Sequence, residues 1–132
     1  MTAKLILMSA GAAFLAACAT AGDSYVMSEE AVTELAKYER TGELTNCLSL
    51  RDLNIDALDE RTFLVRSGVN DYYLAELENS CLSVDRAFTR IQIDTFGSQL
   101  CEKEIVRVVD NTTGNTVGSC GMSKFERLVE KS

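Results

Sequence analysis

Histidine and proline are both missing from the 132 residues of this chain. Without histidine, the protein lacks the side chain that most often moves protons at neutral pH and most often binds transition metals. We therefore expect neither a metal nor another cofactor, and any catalytic group would have to be of another type. Without proline, the turns must rest on Gly, Asn, Asp and Ser.

Basic side chains are scarce as well, with 13 Lys and Arg against 20 Asp and Glu and a formal net charge of −7. Such a surface repels phosphate backbones and anionic lipid headgroups, so we expect no nucleic-acid partner. Hydrophobic residues make up 46% and charged residues 25% of the chain. This composition and length are ordinary for one globular domain.

No apolar run of membrane-spanning length opens the chain, because residues 5–17 form a run of only 13 residues where a spanning helix needs ~20. Lys4 precedes this run and small residues end it, which is typical of a secretory signal. The sequence Leu15-Ala16-Ala17-Cys18 is similar to the bacterial lipobox. That resemblance implies cleavage before Cys18 and a diacylglyceryl thioether on its sulfur. The alternatives are a buried N-terminal helix and a secreted protein cleaved nearby.

Residues 1–17 are therefore predicted to be a lipoprotein signal peptide, and Cys18 is predicted to hold the protein on a membrane. Ala19 resembles the residue that follows the lipidated cysteine in outer-membrane lipoproteins, which predicts a periplasm-facing protein of the outer membrane. Residues 18–45 are predicted to form the lipidated tether and a short helix over 28–40. Ser28 supplies the N-cap of that helix, and Gly42 ends it.

Four further cysteines occur at Cys47, Cys81, Cys101 and Cys120. An even number in an oxidising compartment predicts two disulfides. Three connectivities are possible, and we favour Cys81–Cys101, which closes a local segment, with Cys47–Cys120, which ties the start of the domain to its end. Metal binding and thiol catalysis are disfavoured because the chain has no CxxC spacing and no histidine.

In residues 46–132 the sequence pattern changes to short apolar runs separated by turn residues, which is typical of antiparallel sheets. We predict a mainly β fold, a small antiparallel barrel or sandwich of five to six strands with one N-terminal helix. The tail at 124–128 fits either a helix or a strand. The predicted strands are 62–66, 72–77, 89–94, 105–109 and 116–121.

Landmarks between residues 47 and 128 are similar to those of a known family. They are Cys47 with Arg51-Asp52, the segment 58–62, Tyr73-Leu74 ahead of Cys81, Leu100-Cys101 before a Val-rich strand, and Cys120 near the end. This pattern resembles a family of small uncharacterised proteobacterial lipoproteins, defined as a domain of unknown function. The resemblance implies the cellular address and the domain type but no activity.

An acidic segment of the chain partly matches a calcium-binding loop. Asp52, Asn54 and Asp56 occupy the first three ligand positions of an EF-hand loop. Ala57 replaces the turn glycine, and Phe63 replaces the bidentate glutamate. We interpret the segment as a solvated acidic turn and expect no calcium site there.

Three functions remain as hypotheses. The leading one is a non-enzymatic lipoprotein that is tethered to the outer membrane and binds or supports an envelope protein or glycan. The second is a periplasmic inhibitor or small-ligand binder that uses the loops at 52–60 and 97–101. The third, a carboxylate-based hydrolase, is disfavoured because no acid pair can be singled out from 20 acidic residues.

Overall fold

The computed structural model describes residues 25–95 and 97–131, which form one short helix and ten antiparallel strands. These strands make three sheets, with the orders β1-β10-β5-β4-β3, β6-β8-β9 and β2-β7. In chain order the elements are α1 (Glu29–Leu35), β1 (Tyr38–Thr45), β2 (Cys47–Ser49), β3 (Leu53–Ala57), β4 (Thr62–Ser67), β5 (Asp71–Glu76), β6 (Thr89–Ile93), β7 (Gln99–Cys101), β8 (Ile105–Asp110), β9 (Thr116–Gly121) and β10 (Phe125–Glu130).

The five-stranded sheet buries side chains on both of its faces. Alternation along β4 sends Phe63 and Val65 to one face and Leu64 to the other, and all three side chains are buried. The first face packs against the other two sheets. The second face, with Leu74 of β5, packs against Leu35 of α1. One sheet therefore supports both the main core and the N-terminal helix.

The main core lies between the five-stranded sheet and the two smaller sheets. It contains Val106 and Val108 of β8, Leu100 of β7 and Phe125 of β10, all fully buried. Within the described residues the sheets do not close into a barrel, and the architecture is sandwich-like. The prediction of a mainly β, antiparallel fold is confirmed. The expected five to six strands are ten. The additional ones are β1 and β3, which lie where a helix and an acidic turn were expected, and β2 and β7, which have only three residues each and leave no periodic pattern.

The predicted helix over 28–40 ends early. Ser28 does cap α1, because its hydroxyl accepts a hydrogen bond from the amide of Ala31 at 3.2 Å. The helix stops at Leu35, and Tyr38–Thr45 forms β1. Pairing with β10 decides this outcome. The amide of Lys131 donates to the carbonyl of Lys37 at 2.9 Å, so hydrogen bonding between the two chain segments begins one residue before Tyr38. The sheet therefore begins inside the segment 18–45 that was assigned to tether and helix, and not at residue 46.

The later predicted strands lie where the patterns indicated. The link 67–71 joins β4 and β5 as a hairpin, and the tail forms a strand, β10, rather than a helix. The turn at 111–115 places Gly114 at a φ of 75°, a conformation that glycine adopts without strain. Among the residues described, no helix has the length and apolar character required to cross a membrane.

The domain has two disulfides, so the prediction that its four cysteines are oxidised in pairs is confirmed. The favoured pairing is wrong: Cys47 bonds to Cys101 and Cys81 bonds to Cys120. Cys47 and Cys101 lie directly opposite each other in β2 and β7, with their Cα atoms 4.0 Å apart. Distance along the chain misled the prediction because strand pairing, not sequence separation, decides which thiols meet.

Candidate functional site

The predicted lipidation site, Cys18, and the predicted signal peptide at 1–17 lie outside the described residues. The four domain cysteines are structural, since Cys81 and Cys120 are buried in the main core and Cys47 and Cys101 are half-buried beside it. The geometry brings together three other features: a clasp at the N-terminal segment, a cleft between two strand edges, and a charged cleft on the five-stranded sheet.

The N-terminal clasp holds the first described residues against the turn between β3 and β4. The hydroxyl of Tyr25 lies 3.0 Å from that of Thr62, which is itself fully buried. The amide of Ser28 donates to Asp59 at 3.0 Å, and the amide of Arg61 donates to the same carboxylate at 2.8 Å. The guanidinium of Arg61 lies 4.8 Å above the ring of Tyr25, within the range of a cation–π contact.

The charge state of Asp59 fits this arrangement. Burial alone raises the pKa of its carboxyl, but hydrogen bonds from Tyr25, Ser28 and Arg61 outweigh that effect and lower the pKa below its usual value. Burial, and then the nearby Asp59 carboxylate, raise the pKa of Tyr25. At neutral pH the clasp therefore consists of an ionised aspartate and a neutral tyrosine. A carboxylate that accepts several amide hydrogens is a firm attachment point for the segment that leads towards Cys18.

The predicted binding loop at 52–60 contains strand β3, which is an edge strand of the five-stranded sheet. Asn54 and Asp56 lie on this extended strand and are exposed, whereas a calcium loop would have to curl around its ion. Ile55 points to the other face and packs against the main core. The acidic turn expected at this place is therefore a half-buried strand.

A cleft of about 420 Å³ separates β3 from β6, the edge strand of the three-stranded sheet. We call it the edge cleft. Its apolar wall combines Ile55 of β3 with Ile91 and Ile93 of β6, which all pack against the main core. Asp56 lines one bank and Arg90 lines the other. The full lining is Leu53, Asn54, Ile55, Asp56, Ala57, Val84, Thr89, Arg90, Ile91 and Ile93.

The backbone of both banks can be oriented from the hydrogen bonds at the strand ends. In the β3–β4 ladder, Leu58 bonds to Thr62 at one end, and Gly68 bonds to Asp52 at the other. Because bonded pairs alternate in an antiparallel ladder, Asn54 and Asp56 bond to β4. The backbone groups at the positions between them point into the edge cleft. These are the amides of Ile55 and Ala57 and the carbonyls of Leu53, Ile55 and Ala57.

The same reasoning applies to β6. The amide of Asn111 donates to the carbonyl of Phe88 at 2.8 Å, and the register between β6 and β8 is regular. Arg90 and Gln92 therefore bond to β8, and the backbone groups of Thr89, Ile91 and Ile93 face the edge cleft. Among the strands in the described part of the chain, β3 pairs with β4 alone and β6 pairs with β8 alone.

The second predicted loop, 97–101, leads into β7 and borders a separate cleft of about 550 Å³. The carboxylate of Glu104 accepts a hydrogen bond from the amide of Cys101 at 2.7 Å and another from the hydroxyl of Thr95 at 3.0 Å. The loops at 52–60 and 97–101 thus line different clefts. The structure does not bring them into one binding site.

The charged cleft lies on the outer face of the five-stranded sheet and has a volume of about 480 Å³. Arg40 of β1 donates to the carboxylate of Glu126 through Nε and Nη2, and Nη2 also donates to Glu76 at 2.6 Å. Hydrogen bonds from Arg40 lower the pKa of Glu126. Sequence reasoning missed this cluster because Arg40 and Glu126 are 86 residues apart.

The sequence matches one protein family over nearly its whole length. Residues 1–130 match the family described as "Family of unknown function (DUF6491)". The chain belongs to that family. No curated protein and no solved structure matches the chain. The expected membership of an uncharacterised domain family is therefore confirmed, and the description of the family assigns no activity to the three features above.

The chemistry of the three features differs. In the charged cleft, Arg40 pairs with two carboxylates, and the lowered pKa of Glu126 keeps that carboxylate ionised, so it is unsuited to act as a proton donor. In the clasp, both carboxylate oxygens of Asp59 accept hydrogen bonds from within the protein. The edge cleft differs from both because its backbone donors and acceptors face open space beside an apolar wall. It is therefore the feature best suited to bind another molecule.

Proposed function

We propose that this protein is a non-enzymatic lipoprotein of the proteobacterial outer membrane, lipid-anchored through Cys18 and facing the periplasm, which binds or supports an envelope protein or glycan. The lipobox residues 15–18 support the anchor. Two disulfides support an oxidising compartment. With residues 1–17 removed, 12 basic and 20 acidic residues remain, a formal charge of −8, which argues against nucleic acid and anionic lipid headgroups as partners.

The observation that carries this proposal is the N-terminal clasp. Tyr25 is the seventh residue after Cys18, and a chain of that length spans about 25 Å at most. Asp59 and Thr62 fix the segment 25–28 on the domain, so the remaining tether is short. A domain that worked far from its membrane would not need its N-terminal segment fixed in this way. The clasp supports a role at the envelope surface, in which the domain is held in one orientation.

The anchor is tested with Cys18→Ser in the full-length chain, with Val32→Ser, an exposed helix position, as the matched control. We expect the wild type and the control to be processed before Cys18, to carry a diacylglyceryl group in intact-mass spectra, and to fractionate with the outer membrane. Two or more acyl chains make release from a membrane negligible. A Cys18→Ser protein that still matures and stays on the membrane would contradict the proposal.

A periplasmic inhibitor or small-ligand binder is the second candidate. The cleft beside 97–101 favours it, because its volume of about 550 Å³ lies within the range of small-molecule sites. Saturable binding of purified glycan fragments or of a lytic enzyme, lost in Glu104→Gln, would support this candidate.

A carboxylate-based hydrolase ranks third, since Glu76 and Glu126 are both ion-paired with Arg40. Only substrate turnover that is lost on Glu126→Gln would support the hydrolase hypothesis.

A further inference from the structure

We infer that the edge cleft binds an extended polypeptide segment of a partner protein, which adds as a strand to the free edges of β3 and β6. This inference names the class of partner and rests on the proposed binding function, but it does not depend on the lipid anchor. It draws on three properties of the cleft: the orientation of its backbone groups, its apolar wall, and the charge of the domain around it.

Backbone groups supply the first argument. The amides of Ile55, Ala57, Ile91 and Ile93 point into the edge cleft, as derived above from the ladder bonds at the strand ends. Rows of unpaired amides and carbonyls are templates for another strand, and proteins usually protect such edges with charged side chains, above all lysine, or with proline. Neither β3 nor β6 contains lysine or proline, and each has a single charged side chain, Asp56 and Arg90 respectively. An extended peptide would satisfy these groups with main-chain hydrogen bonds, which is the basis of strand-addition complexes.

Side chains supply the second argument. Ile55, Ile91 and Ile93 form an apolar wall that is continuous with the main core, and Asn54 and Gln92 point to the opposite face. A strand placed between the two edges sends alternate side chains towards that wall and the others towards solvent. The expected segment therefore has apolar residues at every second position. Five residues in β3 and five in β6 match the length of an ordinary strand.

The third property is charge, which favours a segment of another protein over a second copy of this chain in the edge cleft. The mature chain carries a formal charge of −8, so a second copy of this acidic domain would be repelled at close range. A partner segment with basic residues at its solvent-facing positions is attracted instead by the net charge of the domain. On the banks themselves, Asp56 offers it a direct counter-charge, and Arg90 of the other bank donates to the side chain of Asn111 at 2.6 Å. The occupant is therefore an extended segment of another protein, apolar at alternate positions and basic between them.

The first test measures amide hydrogen exchange by NMR on the mature chain with Cys18→Ser. The probe is a capped peptide of roughly six residues that alternates valine with lysine and threonine, since that is the usual strand length. Because the main-chain hydrogen bonds do not depend on sequence, we expect exchange of the amides of Ile55, Ala57, Ile91 and Ile93 to slow at least about tenfold on saturation. The amides of Asn54 and Asp56 already bond to β4 and should not change.

Other outcomes of this test overturn the inference. A matched peptide with central proline residues, which cannot donate to a ladder, should give no slowing. Slowing only at other positions, or no slowing with either peptide, would show that these edges do not accept a strand. Slowing that rises with protein concentration in the absence of peptide would assign the edge cleft to a second copy of the chain.

A pair of variants tests the orientation of the edge. Ala57→Pro removes an amide hydrogen that faces the edge cleft, whereas Asp56→Pro removes one that bonds to β4. We expect Ala57→Pro to keep the spectrum of the folded protein and to weaken peptide binding at least about fivefold, and Asp56→Pro to destabilise the fold. If Ala57→Pro does not fold, the exchange measurement on the wild-type edge still decides the question.

Photo-crosslinking in cells separates this inference from the proposed function. A benzophenone amino acid replaces Asn54 on the bank of the edge cleft or, as the control, Val32 on α1, in the full-length lipoprotein. Capture of one protein segment at Asn54 whose synthetic peptide then slows the edge amides supports the inference. Capture at Val32 alone would leave the proposed function standing and refute the strand-addition site. Capture at neither position would refute the strand-addition site, and the proposed function is then decided separately by the Cys18→Ser test.

Discussion

Removing the disulfide between Cys81 and Cys120 should destabilise the protein by about 4 kcal/mol. The bridge closes a loop with a sequence separation of 39, and loop-closure entropy for that length corresponds to about 4 kcal/mol at 25 °C. Domains of this size are stable by only ~5–15 kcal/mol in total. We therefore expect the double variant Cys81→Ala/Cys120→Ala to unfold at a much lower urea concentration than the wild type.

The bridge between Cys47 and Cys101 provides a matched comparison. It spans a sequence separation of 54, for which the same relation also gives about 4 kcal/mol. Cys81 and Cys120 are 0% and 5% exposed within the main core, whereas Cys47 and Cys101 are half-buried. Truncating the buried pair should add a cavity cost, so its removal should lower the free energy of unfolding more than removal of the Cys47–Cys101 bridge.

Tryptic digestion without reductant decides the connectivity on which this reasoning depends. Cleavage after arginine and lysine places each of the four cysteines in its own peptide. We expect the peptide 41–51 to be linked to 91–103 and the peptide 67–86 to be linked to 108–124. Linkage of 67–86 to 91–103, as sequence separation alone favoured, would refute the strand arrangement that brings β2 to β7. Equal urea midpoints for the wild type and both double variants would refute the magnitudes.

Two further predictions concern packing and pH. A Cβ at Gly118 would overlap the carbonyl oxygen of Leu82, so Gly118→Ala should lower the free energy of unfolding by ~1–3 kcal/mol in urea denaturation. Gly121→Ala, whose Cβ would lie 3.7 Å from a side-chain carbon, should change it little. The lowered pKa of Asp59 contributes stability above pH ~4, its unfolded value, and this stability is lost as pH falls through the lower folded value. The protection factor of the Ser28 amide, which is its intrinsic exchange rate at a given pH divided by its observed rate, should therefore fall in acid in the wild type, and Asp59→Ala should lower it at neutral pH; a protection factor in the wild type that does not change with pH would contradict this.

Where the side-chain pattern of a strand directly reflects which of its faces are buried, the structure could be predicted well from the sequence. Residues 105–109 are nearly continuous Val and Ile because β8 is the central strand of its sheet and buries Val106, Val108 and Val109. The alternation at 89–94 likewise predicted β6. Side-chain periodicity reports which face of a strand is buried, and that information is local.

Where a strand distant in the sequence decides the conformation, prediction from the sequence failed. Residues 38–40 lie at the end of the predicted helix, but Tyr38 pairs with Glu130, and its ring contacts that of Tyr72 with the centroids 5.0 Å apart and the planes tilted by 45°. Nothing near Tyr38 in the sequence encodes that neighbour. The same reason explains the wrong disulfide pairing and the missed contact between Arg40 and Glu126.

The segment 52–60, which was predicted to be a binding loop, contains the strand β3. Exposed Asn54 and Asp56 indicated a turn, although their spacing of two residues also suits the outer face of a strand. The apolar residue between them, Ile55, belongs to the main core. That β3 and β6 are both edges of their sheets is a property of topology, which no local pattern contains.

The positions of the disulfides bear directly on the edge cleft. Cys47–Cys101 fixes β2 to β7, and Cys81–Cys120 fixes the segment after β5 to β9. Neither bridge involves β3 or β6, so no covalent link joins the two banks of the edge cleft. The sheets are held together by the main core, in which the Cys81–Cys120 bridge is buried, while β3 and β6 keep their outward-facing backbone groups unpaired. A partner strand could therefore bridge the banks without breaking any bond that stabilises the domain, and its hydrogen bonds would not have to replace existing ones.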